Sequence, residues 1–176
     1  PETKKAIKDN VHLLEHVSVE RIRDEFNKIV QSDNPMEGVA MCQHLGLLSY
    51  MIPELEEGIG IEQTPNHAFD VWTHLLKSMQ HAADKKYQFH VRLAALFHDV
   101  GKPPTRRFSK GKDKYTFYSH EVVGARIAKK VLKRMKYSRE IIEKVTKLVR
   151  WHMFFSDTDQ ITHSAVRRMV SNVGKE

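Results

Sequence analysis

The fold is decided by the stretch LAALFHDVGKPPTR, residues 93–106, in which a nearly continuous apolar segment ends in a histidine and an aspartate. The apolar positions predict a buried, central helix over residues 88–100, with Gly101 as its C-terminal stop. His98 and Asp99 then lie at the end of the most apolar helix of the chain. Burial of such a polar pair requires a strongly favourable partner, and a divalent cation is the simplest candidate.

Three further histidines occupy positions that point to the same interior. His74 lies on an apolar stripe between Val71 and Leu75, His120 starts a helix after a basic loop, and His152 falls on the apolar face of its own helix. Taken alone, His74 is more often a hydrogen-bonded core histidine than a metal ligand. Together, four helices each deliver one histidine toward a common interior, and this convergence favours a metal site.

Imidazole nitrogens combined with a carboxylate predict a site for one or two divalent metal ions, drawn from Ni, Mn, Mg, Co, Fe and Zn. A carboxylate can bridge two ions, and Asp99 is therefore predicted to be catalytic as well as a ligand. A bound metal polarises a phosphoryl oxygen and lowers the pKa of water from about 15.7 to about 7. The set is hydrolytic in character, and its predicted ligands are His74, His98, Asp99, His120 and His152.

Basic residues follow the His-Asp pair closely. Lys102, Arg106 and Arg107 are predicted to hold phosphate oxygens, the arginines as bidentate partners, and Lys102 is also predicted to be catalytic. The alternative is that these side chains are exposed charges of a solvated loop, and for Arg107 the sequence favours neither interpretation.

The rest of the chain has the three- and four-residue spacing of apolar positions that predicts an all-α protein. Serine, threonine and asparagine caps, prolines and glycines set the predicted limits of the helices. Gly111 lies between two short segments with aromatic residues, where a small hairpin is an option. Predicted helices start at Ser18, Asn34 and Asn66 and span residues 88–100, 119–136, 138–154 and 162–173.

Composition excludes several classes of protein. The chain has 176 residues, of which 40% are hydrophobic and 29% charged, a balance typical of a globular protein. One cysteine, Cys42, rules out an internal disulfide, and no apolar run approaches the roughly 20 residues of a membrane span. No signal peptide is recognisable, and the sequence predicts a cytoplasmic protein without a membrane partner.

Positive charge is concentrated in one segment. Residues 102–150 contain 16 Lys and Arg against 4 Asp and Glu, a local net charge of +12. Such a segment suits RNA or a phosphorylated substrate, and the alternative is a solvated surface. The candidate RNA-binding side chains recur along one predicted helix: Arg126, Lys129, Lys130, Lys133 and Arg134.

The ordered series His74, then His98-Asp99-Val100-Gly101-Lys102, then His120-Glu121 followed by Gly124-Ala125, resembles the HD superfamily of metal-dependent phosphohydrolases. More narrowly, several stretches resemble the C-terminal portion of bacterial tRNA nucleotidyltransferases and poly(A) polymerases that carry an HD domain. These stretches are residues 18–25, 46–55, 66–76, 93–106 and 117–132.

The resemblance implies a helical neck or linker over residues 1–65 and an HD domain over residues 66–176. It also implies phosphodiesterase, phosphatase or nucleotidase action, as in some members, on 2′,3′-cyclic, 2′ and 3′ phosphates of nucleotides or RNA ends. The implied partner is tRNA, in 3′-end processing or repair. The nucleotidyltransferase chemistry of the family needs a head domain that is not in this sequence, and an upstream head in a longer chain is the expectation.

Two other functions remain open. The chain is alternatively a non-catalytic RNA-binding body that positions tRNA for an absent nucleotidyltransferase head, or a ligand-binding HD domain with a structural metal and no turnover. Asp157 or Asp159 is a candidate late ligand or a helix cap, and His67 is a candidate for the outer shell or a surface residue. The family often has glycine where this chain has Ser119, and serine is expected to cap the following helix.

Overall fold

The structure, a computed structural model, describes residues 2–63 and 69–155, with side chains described as far as residue 153. The predicted last helix, residues 162–173, lies outside the described residues. The same holds for the candidates His67, Asp157 and Asp159, and these remain predictions.

Helices make up nearly all of the regular structure in the described part of the chain. An antiparallel hairpin adds β1, Arg107–Ser109, and β2, Lys114–Thr116, with Phe108 opposite Tyr115. The predicted all-α fold is confirmed, and the optional hairpin is present. The helices are α1 Glu2–Asn10, α2 Val19–Gln31, α3 Pro35–His44, α4 Leu48–Met51, α5 Val71–Asp84, α6 Phe89–Phe97, α7 Lys102–Thr105, α8 His120–Arg134 and α9 Arg139–Trp151, with 3-10 helices at Val11–His16, Pro53–Gly58 and His152–Phe155.

Local chemistry explains where several helices begin and end. The Asp70 carboxylate accepts a hydrogen bond from the backbone N–H of Thr73 at 2.8 Å and caps α5. The Ser138 hydroxyl accepts from the backbone N–H of Ile141 in the same way at α9. Gly46, with φ of 78°, follows α3 in the left-handed conformation that glycine adopts without steric cost.

One apolar core runs through both predicted regions. Phe26 of α2 and Leu48 of α4 are buried in the same cluster as Leu75 of α5, Phe97 of α6 and Val149 of α9. The predicted division at residue 65 therefore does not separate two cores, and the first 60 residues help to hold the helices that carry the histidines.

Arg92 joins the two regions by hydrogen bonds. Only 9% of Arg92 is exposed, and its guanidinium donates to the backbone oxygens of Val30 at 3.2 Å, Ser32 at 3.0 Å and Tyr87 at 3.0 Å. The last carbonyls of a helix have no partner within the helix, so a buried arginine is an effective cap for the end of α2.

The central helix is shorter than predicted. It ends at Phe97, and residues 98–101 continue as a turn. The backbone N–H of Lys102 then donates to the backbone oxygen of Asp99. Gly101, with φ of −81°, lies four residues beyond the end of this helix, so the prediction that Gly101 is its C-terminal stop is wrong. Its role is close packing, since an added Cβ would overlap the backbone oxygen of His120 and lie 2.5 Å from the nitrogen of Gly124.

The expected capping role of Ser119 is also wrong. Ser119 occupies the position before α8, but its side chain makes no capping hydrogen bond, and its φ is 62°. A left-handed residue at this position is easiest for glycine, because a Cβ costs roughly 1–2 kcal/mol there. This conformation gives a physical reason for glycine at the equivalent family position.

Candidate metal centre

Five predicted ligands meet at one place, here called the histidine cluster: His74, His98, Asp99, His120 and His152. His74 comes from the first turn of α5, His98 and Asp99 follow α6, His120 is the first residue of α8, and His152 directly follows α9. The Asp99 side chain is only 3% exposed, whereas that of His74, at the rim, is 32% exposed. The structure therefore brings together residues that the chain separates by up to 78 positions.

The two carboxylate oxygens of Asp99 face different histidines. Oδ2 lies 3.2 Å from Nε2 of His74 and 3.2 Å from Nε2 of His98. Oδ1 lies 3.2 Å from Nε2 of His120 and 3.4 Å from Nε2 of His152. Two groups of metal-ligand type result, His74–His98–Asp99 and Asp99–His120–His152, each with its ligand atoms within 4.8 Å of one another. Asp99 belongs to both groups, as a bridging carboxylate would.

Backbone carbonyls orient three of the imidazoles. Nδ1 of His98 donates to the oxygen of Ala95 at 2.7 Å, and Nδ1 of His152 donates to that of Val149 at 2.7 Å. Nδ1 of His120 makes the equivalent bond at 2.8 Å. A carbonyl oxygen only accepts, so the hydrogen must be on Nδ1 and the lone pair of the neutral ring is on Nε2. All three lone pairs are thereby directed toward Asp99.

Such an arrangement of acceptors fits a cation. The Nε2 atoms of His74 and His98 are 2.9 Å apart, and those of His120 and His152 are 3.3 Å apart. Oδ1 of Asp99 is buried and accepts no hydrogen bond from the described residues. Buried lone pairs that face one another are costly unless a positive charge lies between them, and imidazole with carboxylate suits a divalent transition metal. The residues present therefore fit the metal that the sequence predicts.

The charge of Asp99 depends on two opposing effects. Burial raises the pKa of this carboxyl, but the four imidazoles around it, those of His120, His152, His74 and His98, outweigh burial and hold its pKa well below the ordinary value. The carboxylate therefore stays ionised. Protons and a metal ion compete for the same Nε2 atoms, so acid is expected to weaken metal binding.

Lys102 lies inside the cluster and not on a loop surface. Its Nζ is 2.8 Å from Oδ2 of Asp99 and donates to Oε1 of Gln63, and its side chain is 12% exposed. Gln63 is 3% exposed and holds its amide in place by donating to the backbone oxygen of Phe69. Sequence reasoning missed Gln63, because a single glutamine in a loop carries no pattern.

The two predicted phosphate-binding arginines differ from each other. The Arg106 guanidinium lies 3.7 Å from the centre of the Tyr115 ring, and its buried Nε has no acceptor among the described residues. Arg107 is exposed and donates to the backbone oxygens of Arg106 at 2.7 Å and Pro104 at 3.4 Å. The geometry leaves Arg106 with unused donor capacity, whereas Arg107 is turned toward its own backbone.

All five predicted RNA-binding residues are exposed on α8: Arg126, Lys129, Lys130, Lys133 and Arg134. Arg134 is nevertheless held by a bidentate ion pair with Glu54, at 2.6 and 2.7 Å. Burial raises the pKa of Glu54, but the Arg134 hydrogen bond and charge outweigh this effect and lower it. Arg134 therefore has a structural contact that the helical pattern did not reveal.

A groove of about 990 Å³ lies between α6, α8 and α9. Its lining includes Arg126 and Lys129 of α8 together with Lys147, Arg150 and Trp151 of α9. The Arg150 guanidinium lies 4.9 Å from the Trp151 ring, and Trp151 directly precedes the ligand-type His152. The basic surface of α8 is thus continuous with a basic groove beside the histidine cluster.

Two families match this chain. Residues 71–172 match the family described as "HD domain", and residues 1–59 match "Probable RNA and SrmB- binding site of polymerase A".

In the part of the chain that the structure describes, no helix has the length and apolar character needed to cross a membrane.

Several curated proteins are similar to this chain. The CC-adding tRNA nucleotidyltransferase of Thermus thermophilus is 37% identical over 136 residues, which cover 76% of this chain and 31% of that protein. The A-adding tRNA nucleotidyltransferase of Deinococcus radiodurans is 32% identical over 136 residues, with the same coverage. A "Multifunctional CCA protein" of Neisseria meningitidis is 27% identical over 149 residues, covering 84% of this chain and 35% of that protein. The chain spans about a third of the length of these relatives.

Proposed function

This chain belongs to the HD-domain family, which confirms the resemblance seen in its motifs, and on that premise we propose that it is a metal-dependent phosphohydrolase. Its substrates are 2′,3′-cyclic, 2′ or 3′ phosphates of nucleotides or RNA ends. One observation carries this proposal: three carbonyl-oriented histidines direct their Nε2 lone pairs at the buried carboxylate of Asp99. A structural ion pair would not need so many acceptors in one buried place.

The residues of the cluster have separate roles in this proposal. His74, His98, Asp99, His120 and His152 would hold a divalent ion, which would supply Lewis acidity and would lower the pKa of water to near neutrality. Lys102 neutralises Asp99 and presents a second positive charge to the incoming phosphate. Arg106, whose Nε has no acceptor within the described residues, donates to a phosphate oxygen.

We further propose that the chain is the HD module of a tRNA nucleotidyltransferase-like protein, cytoplasmic and with tRNA as partner. The similar proteins support this setting, since three of them are named for CC addition, A addition or CCA. A head domain carrying the nucleotidyltransferase site is part of the proposal. The division into a neck, residues 1–65, and an HD domain, residues 66–176, is supported by the separate family matches.

Turnover tests the hydrolase directly. The metal-loaded protein is expected to hydrolyse a 2′,3′-cyclic nucleotide or a terminal phosphate, and Asp99→Asn is expected to lower kcat/KM by at least about 100-fold. Asp33→Asn is the matched control, because Asp33 is an exposed carboxylate that forms an ion pair with Lys86 and is not one of the proposed ligands. A metal-loaded wild type without turnover on any of these phosphates contradicts the proposal and favours a structural metal with ligand binding alone.

The second candidate function is a non-catalytic RNA-binding body. The exposed cations of α8 and the basic groove beside them favour it. Charge reversal of Lys129 and Lys133 is then expected to weaken tRNA binding. It is also expected to reduce the slope of log K against log salt concentration by about 0.7–0.9 for each phosphate contact that is lost. If the affinity for tRNA changes neither with salt concentration nor with charge reversal, this function is ruled out.

A further inference from the structure

Residues 106–118, here called the aromatic hairpin, expose an unusual number of rings. Phe108 is 54% exposed, Tyr115 is 39% exposed and Tyr118 is 69% exposed. Phe108 and Tyr115 are cross-strand partners, so their side chains share one face of the hairpin, with ring centres 5.4 Å apart. Single exposed apolar side chains are normal, but an exposed cross-strand pair of rings with a third exposed ring, Tyr118, in the same hairpin points to a binding surface.

The charge around these rings points to the class of that partner. The aromatic hairpin contains five Lys or Arg residues and one acidic residue, Asp113. Arg106 is stacked over Tyr115 with its buried Nε lacking an acceptor in the described chain, and Nζ of Lys112 lies 2.8 Å from the Tyr118 hydroxyl. Cations interleaved with exposed rings suit a strand that offers both phosphates and unstacked bases.

The aromatic hairpin starts close to the histidine cluster in the chain and contacts the cluster at its other end. At the start, the Thr105 hydroxyl donates to the backbone oxygen of Gly101, two residues after the ligand-type Asp99. At the end, the backbone oxygen of Phe117 accepts from Nδ1 of His120 at 2.8 Å. The rings therefore belong to the segment that connects two predicted metal ligands.

We propose that the aromatic hairpin is a stacking platform for single-stranded nucleic acid. Bases stack on Phe108 and Tyr118, and Arg106 and Lys110 contact the phosphates. A duplex keeps its bases stacked on one another and offers no free base faces to these rings. That the strand runs with its terminal phosphate toward the histidine cluster rests on the proposed hydrolase function, whereas the binding itself does not.

Binding of a labelled oligoadenylate of about ten nucleotides with a 3′-hydroxyl end tests this platform. Such a probe has no terminal phosphate to lose, so its affinity is measured without turnover. Phe108→Ala is expected to weaken binding by about 5- to 150-fold, the equivalent of about 1–3 kcal/mol for one stacked base. Phe108→Tyr keeps an aromatic face and is expected to bind within about twofold of the wild type.

The matched control is Tyr87→Ala, which removes a ring that is 51% exposed outside the aromatic hairpin. Its affinity is expected to equal that of the wild type. A second variant, Lys110→Gln, is expected to reduce the slope of log K against log salt concentration by about 0.7, the value for one lost phosphate contact on a single strand. Thermal unfolding of each variant shows whether it is folded, and Phe108→Tyr provides the readout that a folding defect does not mimic.

Several results would overturn the platform. They are wild-type affinity in Phe108→Ala, an equal loss in Tyr87→Ala, equal competition by a duplex, or no binding at all. Self-association that Phe108→Ala abolishes, without any nucleic-acid binding, assigns the patch to a protein contact instead. Oligonucleotide binding without phosphate hydrolysis overturns only the proposed function, and hydrolysis with unaltered binding in Phe108→Ala overturns only the platform.

Discussion

The histidine cluster and the aromatic hairpin are neighbours in the chain but are built in opposite ways. In the cluster, Asp99 is buried and three imidazoles are oriented by backbone carbonyls. In the hairpin, Phe108 and Tyr118 are largely exposed. Ligand atoms that are held in place before binding lose little freedom when the ligand arrives, whereas exposed side chains must be ordered. Changes in the packing around the cluster are therefore expected to have larger effects than changes on the surface.

The largest effect is expected from Gly101→Ala. The added Cβ collides with backbone atoms of His120 and Gly124, which cannot move aside as a side chain can. We expect a loss of about 1–3 kcal/mol in the free energy of unfolding. Displacement of His120 is expected to weaken metal binding by about 10- to 100-fold. Chemical denaturation and metal titration measure the two effects.

Gly111→Ala is the matched control in the hairpin. Apart from its chain neighbours, no atom of the described residues lies within 4 Å of a Cβ added there, so stability is expected to stay within about 0.5 kcal/mol. If Gly101→Ala has the stability and the metal affinity of the wild type, close packing at Gly101 does not position His120.

The next effect is expected from His152→Ala. This change removes one ligand from the group Asp99–His120–His152 and leaves His74 and His98 with Asp99. Metal affinity is expected to fall by at least about 10- to 100-fold, the range for groups that merely support a ligand. Isothermal titration measures it, with the exposed His44→Ala as control. Unchanged affinity in His152→Ala would exclude His152 from the metal site.

A smaller effect separates two adjacent cations of α8. Arg134→Ala is expected to cost about 0.5–1 kcal/mol of stability, because Glu54 loses its partner. The pKa of Glu54 is lowered in the folded protein, so the pair stabilises above the unfolded value of about 4.3, and this contribution is lost as pH falls through the lowered value. Denaturation at neutral and acid pH measures the difference.

Lys133→Ala is the comparison for Arg134→Ala, since Lys133 is exposed on the same helix. Lys133→Ala is expected to leave stability unchanged. It is expected to reduce the slope of log K for RNA binding against log salt concentration by about 0.7–0.9. The reverse outcome, a stability loss only in Lys133→Ala, would contradict the assignment of Arg134 to a structural contact.

The smallest effects are expected at two serines with opposite backbone conformations. Ser119→Gly relieves a left-handed residue and is expected to add about 0.5 kcal/mol of stability after the entropy cost of glycine. Ser138→Gly removes a hydroxyl cap from α9 and is expected to lower the free energy of unfolding by about 0.3 kcal/mol. Thermal melts of the pair give the signs, and a gain in both would refute the conformational argument.

The sequence predicts the centre of the candidate site better than its surroundings. His98 and Asp99 are recognisable because two polar residues end the most apolar helix, and His74 and His152 because they interrupt apolar faces. Such signals arise from burial, which a helical period records directly. That these residues meet at Asp99 depends on how the helices pack, which helical periodicity does not record.

Contacts between distant segments leave no such signal. The partner of Arg134 is Glu54, 80 positions earlier, and the partner of Lys102 is Gln63, in a loop. The role of Gly101 depends on how closely α8 crosses the turn, which is a property of packing and not of local propensity. Ser119 fits the residue preferences of a cap, but tertiary structure gives it a left-handed backbone.

Metal content tests the central claim most directly. The wild type, loaded with Ni²⁺ or Mn²⁺ and dialysed, is predicted to retain one or two divalent ions per chain by elemental analysis, and Asp33→Asn is predicted to retain the same amount. Asp99→Asn is predicted to retain nearly none, because it removes the charge shared by both ligand groups. A wild type that holds no ion, or an Asp99→Asn variant with wild-type content, would contradict the metal site.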